Sequence, residues 1–435
     1  MEESDRSFVC AMNDFAKNDS FAALMRLLME RPMLYRDFEL LSMPCGADPA
    51  QMWDLLSTLR KHMGVRVPYA DGRGRMGWYS ITAELREMCA KIDALCGVGS
   101  WLARAMEERN PFFLLLEEVT GELIAAMKRD GLDASYETLR SVVCGQAEAS
   151  GTTIGRLAAN MLDVLHDRNT YAAQRIDEAM VIEIRRRIGE GLDDLPKTRP
   201  LPQPGAPFAA VDVTRADSLA KIASIAEGVD CDPYEHPLVM MLGIDGLFAT
   251  CLPFSHLNNC TSMIVTCIYL IQRGLPVLSL APIRRTIDEW RRGLRVPDST
   301  RATLGESVRE VDGSFDFTVH ISASVEMVYG VLQTTAERVL DVIEKEGSLF
   351  EALEKEPLVN HRQRAIILQS MRDVTSTFRI ASHQRATHVA YATARADLVG
   401  LTEMGLFDCM PEGRAYVFVP RPDIAQCVRR RWLKE

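Results

Sequence analysis

The stretch His236-Pro-Leu-Val-Met-Met-Leu-Gly-Ile-Asp-Gly-Leu-Phe-Ala-Thr-Cys-Leu-Pro-Phe-Ser-His-Leu-Asn-Asn-Cys-Thr-Ser-Met263 decides how this 435-residue chain is read. A proline directly after His236 suits the first turn of a helix, where its missing N–H costs nothing. From Pro237 to Ala281 only Asp245 and Arg273 carry charge, and helices this apolar on all sides belong at the centre of a domain. Leu252 to Leu257, with Pro253 inside, breaks the helical pattern. The next helix is expected from Asn258 to Arg273, with the Asn258 amide as its N-cap. Two buried helices joined by a short loop are therefore the core from which the other elements are read.

Upstream, residues 20 to 97 follow the order helix, short helix, helix, hairpin. Ser20 precedes Phe21-Ala-Ala-Leu-Met-Arg-Leu-Leu-Met at helical apolar spacing, Pro32 ends that run, and Asp48 with Pro49 opens another through Met52, Leu55, Leu56 and Leu59. Val65 and Val67 then alternate with polar residues, a turn follows at Asp71 to Gly77, and Trp78, Tyr79 and Ile81 return as a strand. That order is a winged helix. Gly72, Gly74 and Gly77 spell GxGxxG, but they join two strands and do not open a helix, so the dinucleotide-binding reading is set aside. From Val98 to Gly191 the pattern is helical, with Asn110 and Pro111 as N-cap and first-turn pair before Phe112 to Met127, then helices at Ser135 to Gly145, Ile154 to Leu165 and Arg175 to Ile188. Prolines 196, 200, 202, 204 and 207 read as an extended surface segment. Phe315, Phe317, Val319 and Ile321 alternate like a strand, yet the spacing from Val325 to Ile343 is helical, so one helix is expected there with an undefined start. The order of the N-terminal region returns at the C-terminus: helices at Asn360 to Arg372, Ile380 to Thr387 and Tyr391 to Met404, then a hairpin with Tyr416 and Phe418 on its returning strand, a second winged helix.

Hydrophobic residues at 47% and charged residues at 25% match a globular composition and exclude disorder or a fibre as a whole-chain description; the length suggests two or three domains. No apolar run approaches the ~20 residues of a membrane span. Glu2, Glu3 and Asp5 stand where an export signal needs basic residues, so a cytoplasmic location is expected. Eleven cysteines without a CxxC pair read as reduced thiols. The net charge of -10 argues against nucleic acid until it is divided: Leu358 to Glu435 hold 12 Lys and Arg against 7 Asp and Glu, a net of +5, which leaves -15 on the rest. His361, His383 and His388 would add charge beside a polyanion, whereas Arg429, Arg430 and Arg431 alone read as a solvated tail.

The quoted stretch resembles the core of the Fic (Fido) family, in which a helix opening with Pro-Leu runs into a loop of pattern His-x-Phe-x-Asp/Glu-Gly-Asn-Gly-Arg-x-x-Arg and then a second helix. The spacing is kept without gaps. Glu148 to Arg156 looks like the family's inhibitory segment, and Leu358-Val-Asn-His-Arg-Gln-Arg-Ala with Ala392-Thr-Ala-Arg-Ala-Asp-Leu looks like the C-terminal winged helix of many members. The resemblance spans about Val98 to Phe418 and implies the Fic helical bundle. It also locates what is missing. The family's catalytic base corresponds to Leu252, its metal-binding acid to His256, and its phosphate-holding arginines to Cys260 and Met263. Two loop glycines correspond to Leu257 and Asn259, whose side chains restrict the φ > 0 backbone of an anion nest. Pro253, Phe254 and Asn258 alone coincide, and Thr152-Thr-Ile-Gly-Arg156 lacks the inhibitory glutamate.

These readings combine into a mainly α protein: a Fic-like helical bundle flanked by two winged helices, with domains at 19–97, 98–350 and 358–420, a degenerate motif at 252–263 and a basic tail at 421–435. The expected function is that of a catalytically inactive, DNA-binding or regulatory protein without a cofactor or metal; a homodimer stays open, and no membrane partner is expected. Tyr391, Thr393, Arg395, Arg385, His388 and Arg414 are the DNA-binding candidates. The alternative is an enzyme transferring AMP or another nucleotide moiety to a protein hydroxyl, with ATP and Mg²⁺; Asn258 and Asn259 are then the remaining nucleotide contacts. A Cys260/His256 nucleophilic pair and a metal site from Asp232, His236 and His256 are set aside for want of a third catalytic member. Leu252, read as packed, makes Leu252→His an expected destabilising change.

Overall fold

Helices Pro237–Cys251 and Asn258–Gln272 pack against each other, and every residue from Asn258 to Leu270 is buried. The computed structural model describes residues 19–43, 46–70, 76–144, 151–199, 215–228, 235–311, 313–372, 376–412 and 415–433. The chain is mainly helical, as its apolar periodicity leads one to expect. By internal contacts it divides into two units, one drawn from the residues up to Val98, Gly121–Ser135 and Asn160–Leu332, the other from Gly99–Thr120, Tyr136–Ala159 and Gln333 onward. That division differs from the linear boundaries expected at 97, 350 and 358.

In the first unit, Asn258–Gln272 is the central helix. Arg168–Ala172, Glu178–Ile188 and Pro237–Cys251 pack around it, and Arg215–Glu227 lies against Pro237–Cys251. The caps follow side-chain chemistry: Asp177 accepts from Met180 N, Asp48 from Gln51 N, and His236 Nδ1 from Leu238 N at 3.2 Å. The N-terminal elements Asp19–Glu30, Tyr35–Phe38 and Pro49–Met63 precede strands β1 (Val65–Ala70) and β2 (Met76–Tyr79), as the sequence suggests. The hairpin is not free-standing. Strands β3 (Arg309–Val311) and β4 (Ser314–Asp316) extend it into one sheet of order β1-β2-β4-β3, with β2 antiparallel to β1 and parallel to β4. This pairing satisfies the edge that β2 would otherwise expose. Gly77 is required there, because a Cβ would lie 2.7 Å from the Phe317 ring; Gly72 and Gly74 lie outside the described residues. Arg60, 1% exposed, bonds Asp316 at 2.8 Å and lies over the Trp53 and Trp78 rings, tying Pro49–Met63 to the sheet.

The alternating residues from Phe315 belong to two elements. Strand β4 ends at Asp316 and the 37-residue helix Thr318–Glu354 begins two residues later, with Asp316 Oδ1 accepting from Thr318 N at 2.8 Å.

The second unit contains helices His361–Arg372, Ile380–Thr387 and Tyr391–Glu403 and a three-stranded sheet. Strands β6 (Phe407–Glu412) and β7 (Ala415–Pro420) make the expected hairpin, and β5 (Phe378–Arg379) adds a third strand in the order β5-β7-β6. Its core also takes Leu349 and Leu353 from the long helix and Ile424 and Val428 from beyond β7. The segment read as a basic tail is therefore folded: Ile424–Val428 is a helix, Val428 is fully buried, and Trp432 packs on the same core. Its apolar residues at every fourth place dominate over the charge run.

Candidate functional site

The loop between the two central helices turns on two left-handed residues, Leu252 at φ 45° and Leu257 at φ 59°. The sequence reading has the Leu257 side chain restricting such a backbone, and Leu257 nevertheless adopts it. Leu257 adopts it because its side chain is 1% exposed, and burial outweighs a strain of about 1–2 kcal/mol. Leu252 is only half-buried. Leu252→His is thus no longer expected to destabilise, since histidine tolerates this conformation better than leucine.

Asn258 does not N-cap the second helix. Leu257 holds that position without a side-chain bond, while the Asn258 amide staples the loop, accepting from Phe254 N at 2.9 Å and donating to Phe254 O at 2.6 Å. The cap comes from Asp130, just beyond the helix Leu116–Arg129. Asp130 Oδ1 accepts from Asn259 N and Asn259 Nδ2, each at 3.0 Å, and from Thr198 Oγ1 at 2.9 Å; Oδ2 accepts from Cys260 N at 2.9 Å. A carboxylate belonging to the chain fills the anion position at the start of the helix, where unpaired N–H groups and the helix dipole favour negative charge. Both asparagines considered as nucleotide contacts are 0% exposed and held by these bonds. Asn259 Oδ1 is buried with no partner among the described residues.

The other motif positions are equally occupied. Cys260 and Met263 are buried; burial, and next the Asp130 charge, push the Cys260 thiol well above its ordinary value. The helix start therefore holds a neutral thiol, and His256 faces elsewhere, with Nδ1 2.9 Å from Pro196 O. Its own carbonyl accepts from Arg185 Nε at 2.9 Å. Thr198, read as part of a surface segment, is 8% exposed and its N–H bonds Ser255 O at 3.0 Å, so 196–198 lies across the loop. His236 accepts its own helix's N–H and bonds Asp93 through Nε2 at 3.0 Å; Asp232 lies outside the described residues, as do 145–150 of the segment likened to an inhibitory helix.

Sequence reasoning missed the charges beside the loop. Arg129 bonds Asp288 at 3.0 Å and Asp245 at 2.9 Å. Arg284 Nη2 reaches Asp245 at 2.7 Å and the Ser262 and Thr266 hydroxyls, while Nη1 meets Glu122 at 3.0 Å. Burial alone would raise Asp245, but the Arg284 and Arg129 guanidiniums outweigh it and hold the carboxyl at about 2. Both cations are committed to carboxylates. A signal was legible in Lys128-Arg-Asp-Gly131, where charges end a helix before glycine, but the carboxylate partners of Arg129 lie more than a hundred residues away.

In the second unit, Tyr391 is 54% exposed, Arg395, Arg385 and His388 are exposed and Thr393 is half-buried, whereas Leu398 and Leu401 are buried. His388 also ends the helix Ile380–Thr387 in the left-handed conformation, φ 54°. Arg414 lies outside the described residues. His383, expected to add surface charge, is buried against Asp397 at 3.0 Å. Burial would raise Asp397, but bonds from Arg362, His383 and Asn360 hold it below its ordinary value.

No family model matches the chain, and no curated protein does. A solved structure of a Fic family protein from Desulfovibrio desulfuricans G20 is similar over 81% of this chain and 99% of that chain, at 15% identity and a TM-score of 0.43. Among the described residues no helix is long and apolar enough to cross a membrane.

Proposed function

We propose that this is a Fic-type chain without nucleotide-transfer activity, acting as a DNA-binding regulator through its C-terminal winged helix. The Fic reading rests on the ungapped motif spacing. The observation that carries the inactive reading is the Asp130 carboxylate on the N–H groups of Asn259 and Cys260: a bound phosphate would meet a fixed negative charge where it needs donors. Leu252 cannot accept a proton, and His256 is bonded to Pro196. Incubation with labelled ATP, CTP, GTP or UTP and Mg²⁺ is expected to give no transfer to the chain or to a hydroxyl-bearing target. Transfer that disappears on heat denaturation and depends on His256 would sink this reading.

The exposure of Tyr391, Arg395, Arg385 and His388, with the net +5 of the C-terminal region, supports duplex DNA as the partner. Among the described residues no side chain caps helix Tyr391–Glu403 at its N-cap, so its first N–H groups can serve a phosphate. Fluorescence anisotropy with the full chain is expected to show duplex binding that weakens as salt rises, and Arg395→Ala should weaken it about tenfold without moving the thermal transition. Absence of salt-dependent binding to any duplex, with the chain folded, would favour a protein partner on this face.

A further inference from the structure

Away from the loop, the second unit contains a cavity of about 350 Å³. Its floor is aliphatic: Leu349 and Leu114 are 1% and 8% exposed, and Leu116, Val342 and Met371 complete the wall. Its charged lining is unbalanced. Glu346 Oε2 accepts from Arg109 Nη2 at 2.8 Å and from Arg372 Nε at 3.3 Å, and Arg109 Nη1 also meets Glu108 at 3.2 Å. Arg109 and Glu346 have side chains 7% and 9% exposed, a built and largely desolvated pair. Arg338 is matched by Glu118 and Lys345 by Asp341. Arg140 and Arg429 also line the cavity, and neither has a carboxylate partner among the described residues. Tyr136, with its hydroxyl hydrogen-bonded to Glu117, lies beside Arg140.

We propose that this cavity binds a small anionic amphiphile, with one carboxylate or sulfonate head and an apolar body. The volume is that of a small-molecule site at the lower end of the usual range of about 300–1,000 Å³. The guanidiniums of Arg140, which is exposed, and Arg429, which is half-buried, can donate charge-assisted hydrogen bonds to an added anion. The leucine floor cannot satisfy a second polar end, which excludes a compact, fully polar anion. Lining residues come from Leu114–Glu117, from the long helix at 338–349, from the end of His361–Arg372 and from Ile424–Val428 and its extension. The ligand would therefore join the long helix to the module carrying Tyr391–Glu403. This inference stands independently of DNA binding, since its test reads the ligand directly.

The full chain is titrated with 8-anilinonaphthalene-1-sulfonate as the probe, with decanoate and decanol as competitors. The expected result is saturable one-to-one fluorescence enhancement, displaced by decanoate at concentrations at least tenfold lower than decanol. Arg372→Gln, which removes a half-exposed rim cation, and Met371→Trp, which fills the cavity, should each weaken the probe tenfold or more at an unchanged thermal transition. Non-saturable fluorescence, equal displacement by the acid and the alcohol, or wild-type binding by both variants would overturn the proposal.

Discussion

Leu252 and Leu257 share a backbone conformation that leucine rarely adopts, yet they differ in what holds them there. Leu257 is packed, so Leu257→Ala is expected to cost about 2–4 kcal/mol in denaturant titration. Leu252 is half-buried, and Leu252→Gly and Leu252→His should each lie within about 1 kcal/mol of the parent, lost contact and relieved strain nearly cancelling. A cost for Leu252→His equal to that of Leu257→Ala would show that the loop packs around position 252 after all. His320 is expected to contribute the pH dependence between 6.5 and about 4. Burial, and next the Arg291 charge, lower it from 6.5 to about 4, and its imidazole lies 3.0 Å from Ser307 Oγ and stacks on Trp290. Its folded pKa is depressed, so its contribution is complete above 6.5 and lost as pH falls toward 4, when the unfolded chain takes up the proton first. Over that window stability should fall by about 3 kcal/mol, and His320→Gln should flatten the decline. An unchanged slope in the variant would assign the effect elsewhere. Asp245 acts lower, its contribution being lost as pH falls from about 4 toward 2.

At the scale of elements, Asn258–Gln272 depends on a cap from a distant part of the chain. Asp130→Ala removes the acceptor of four bonds and leaves the buried N–H groups of Asn259 and Cys260 unpaired. A loss of about 3 kcal/mol or more is expected in thermal or chemical melting. If the helix start is an anion site filled by the chain itself, sulfate should raise the melting temperature of Asp130→Ala beyond the general salt effect seen in the parent. Equal shifts in the two proteins would mean that the position, once vacated, does not accept an anion. Helix Tyr391–Glu403 is fixed by the same device: buried Asp397 takes Arg362 Nε at 2.6 Å, His383 and Asn360, leaving the opposite face outward.

For the whole molecule, the C-terminal module is larger than its winged-helix pattern. Leu349 and Leu353 are 1% and 0% exposed in its core, ahead of the apparent start at 358. A fragment beginning at 358 should melt at least about 10 °C below one beginning at 340 when followed by circular dichroism, because two buried leucines are lost from a small core. Coincident transitions would show that the long helix contributes nothing to the module. The proposed DNA binding is therefore best tested on the full chain, where salt also screens the repulsion from the acidic remainder and should make the salt dependence shallower than the basic contacts alone would give.

The helical character, the two central helices, the three-helix order before β6 and β7, and the outward face of Tyr391 and Arg395 were legible in the amino-acid sequence, since each depends on spacing within one element. Residue identity alone also says that the Leu252 side chain cannot take a proton. Tertiary structure decided the partners. That Asp130 caps the helix, that Arg129 and Arg284 meet Asp245, and that β2 continues into β4 all join residues far apart in the chain. Local periodicity reports which face of an element is buried. The carboxylate that satisfies a buried N–H or guanidinium is chosen by what the folded chain brings within three ångströms, and no spacing rule encodes that.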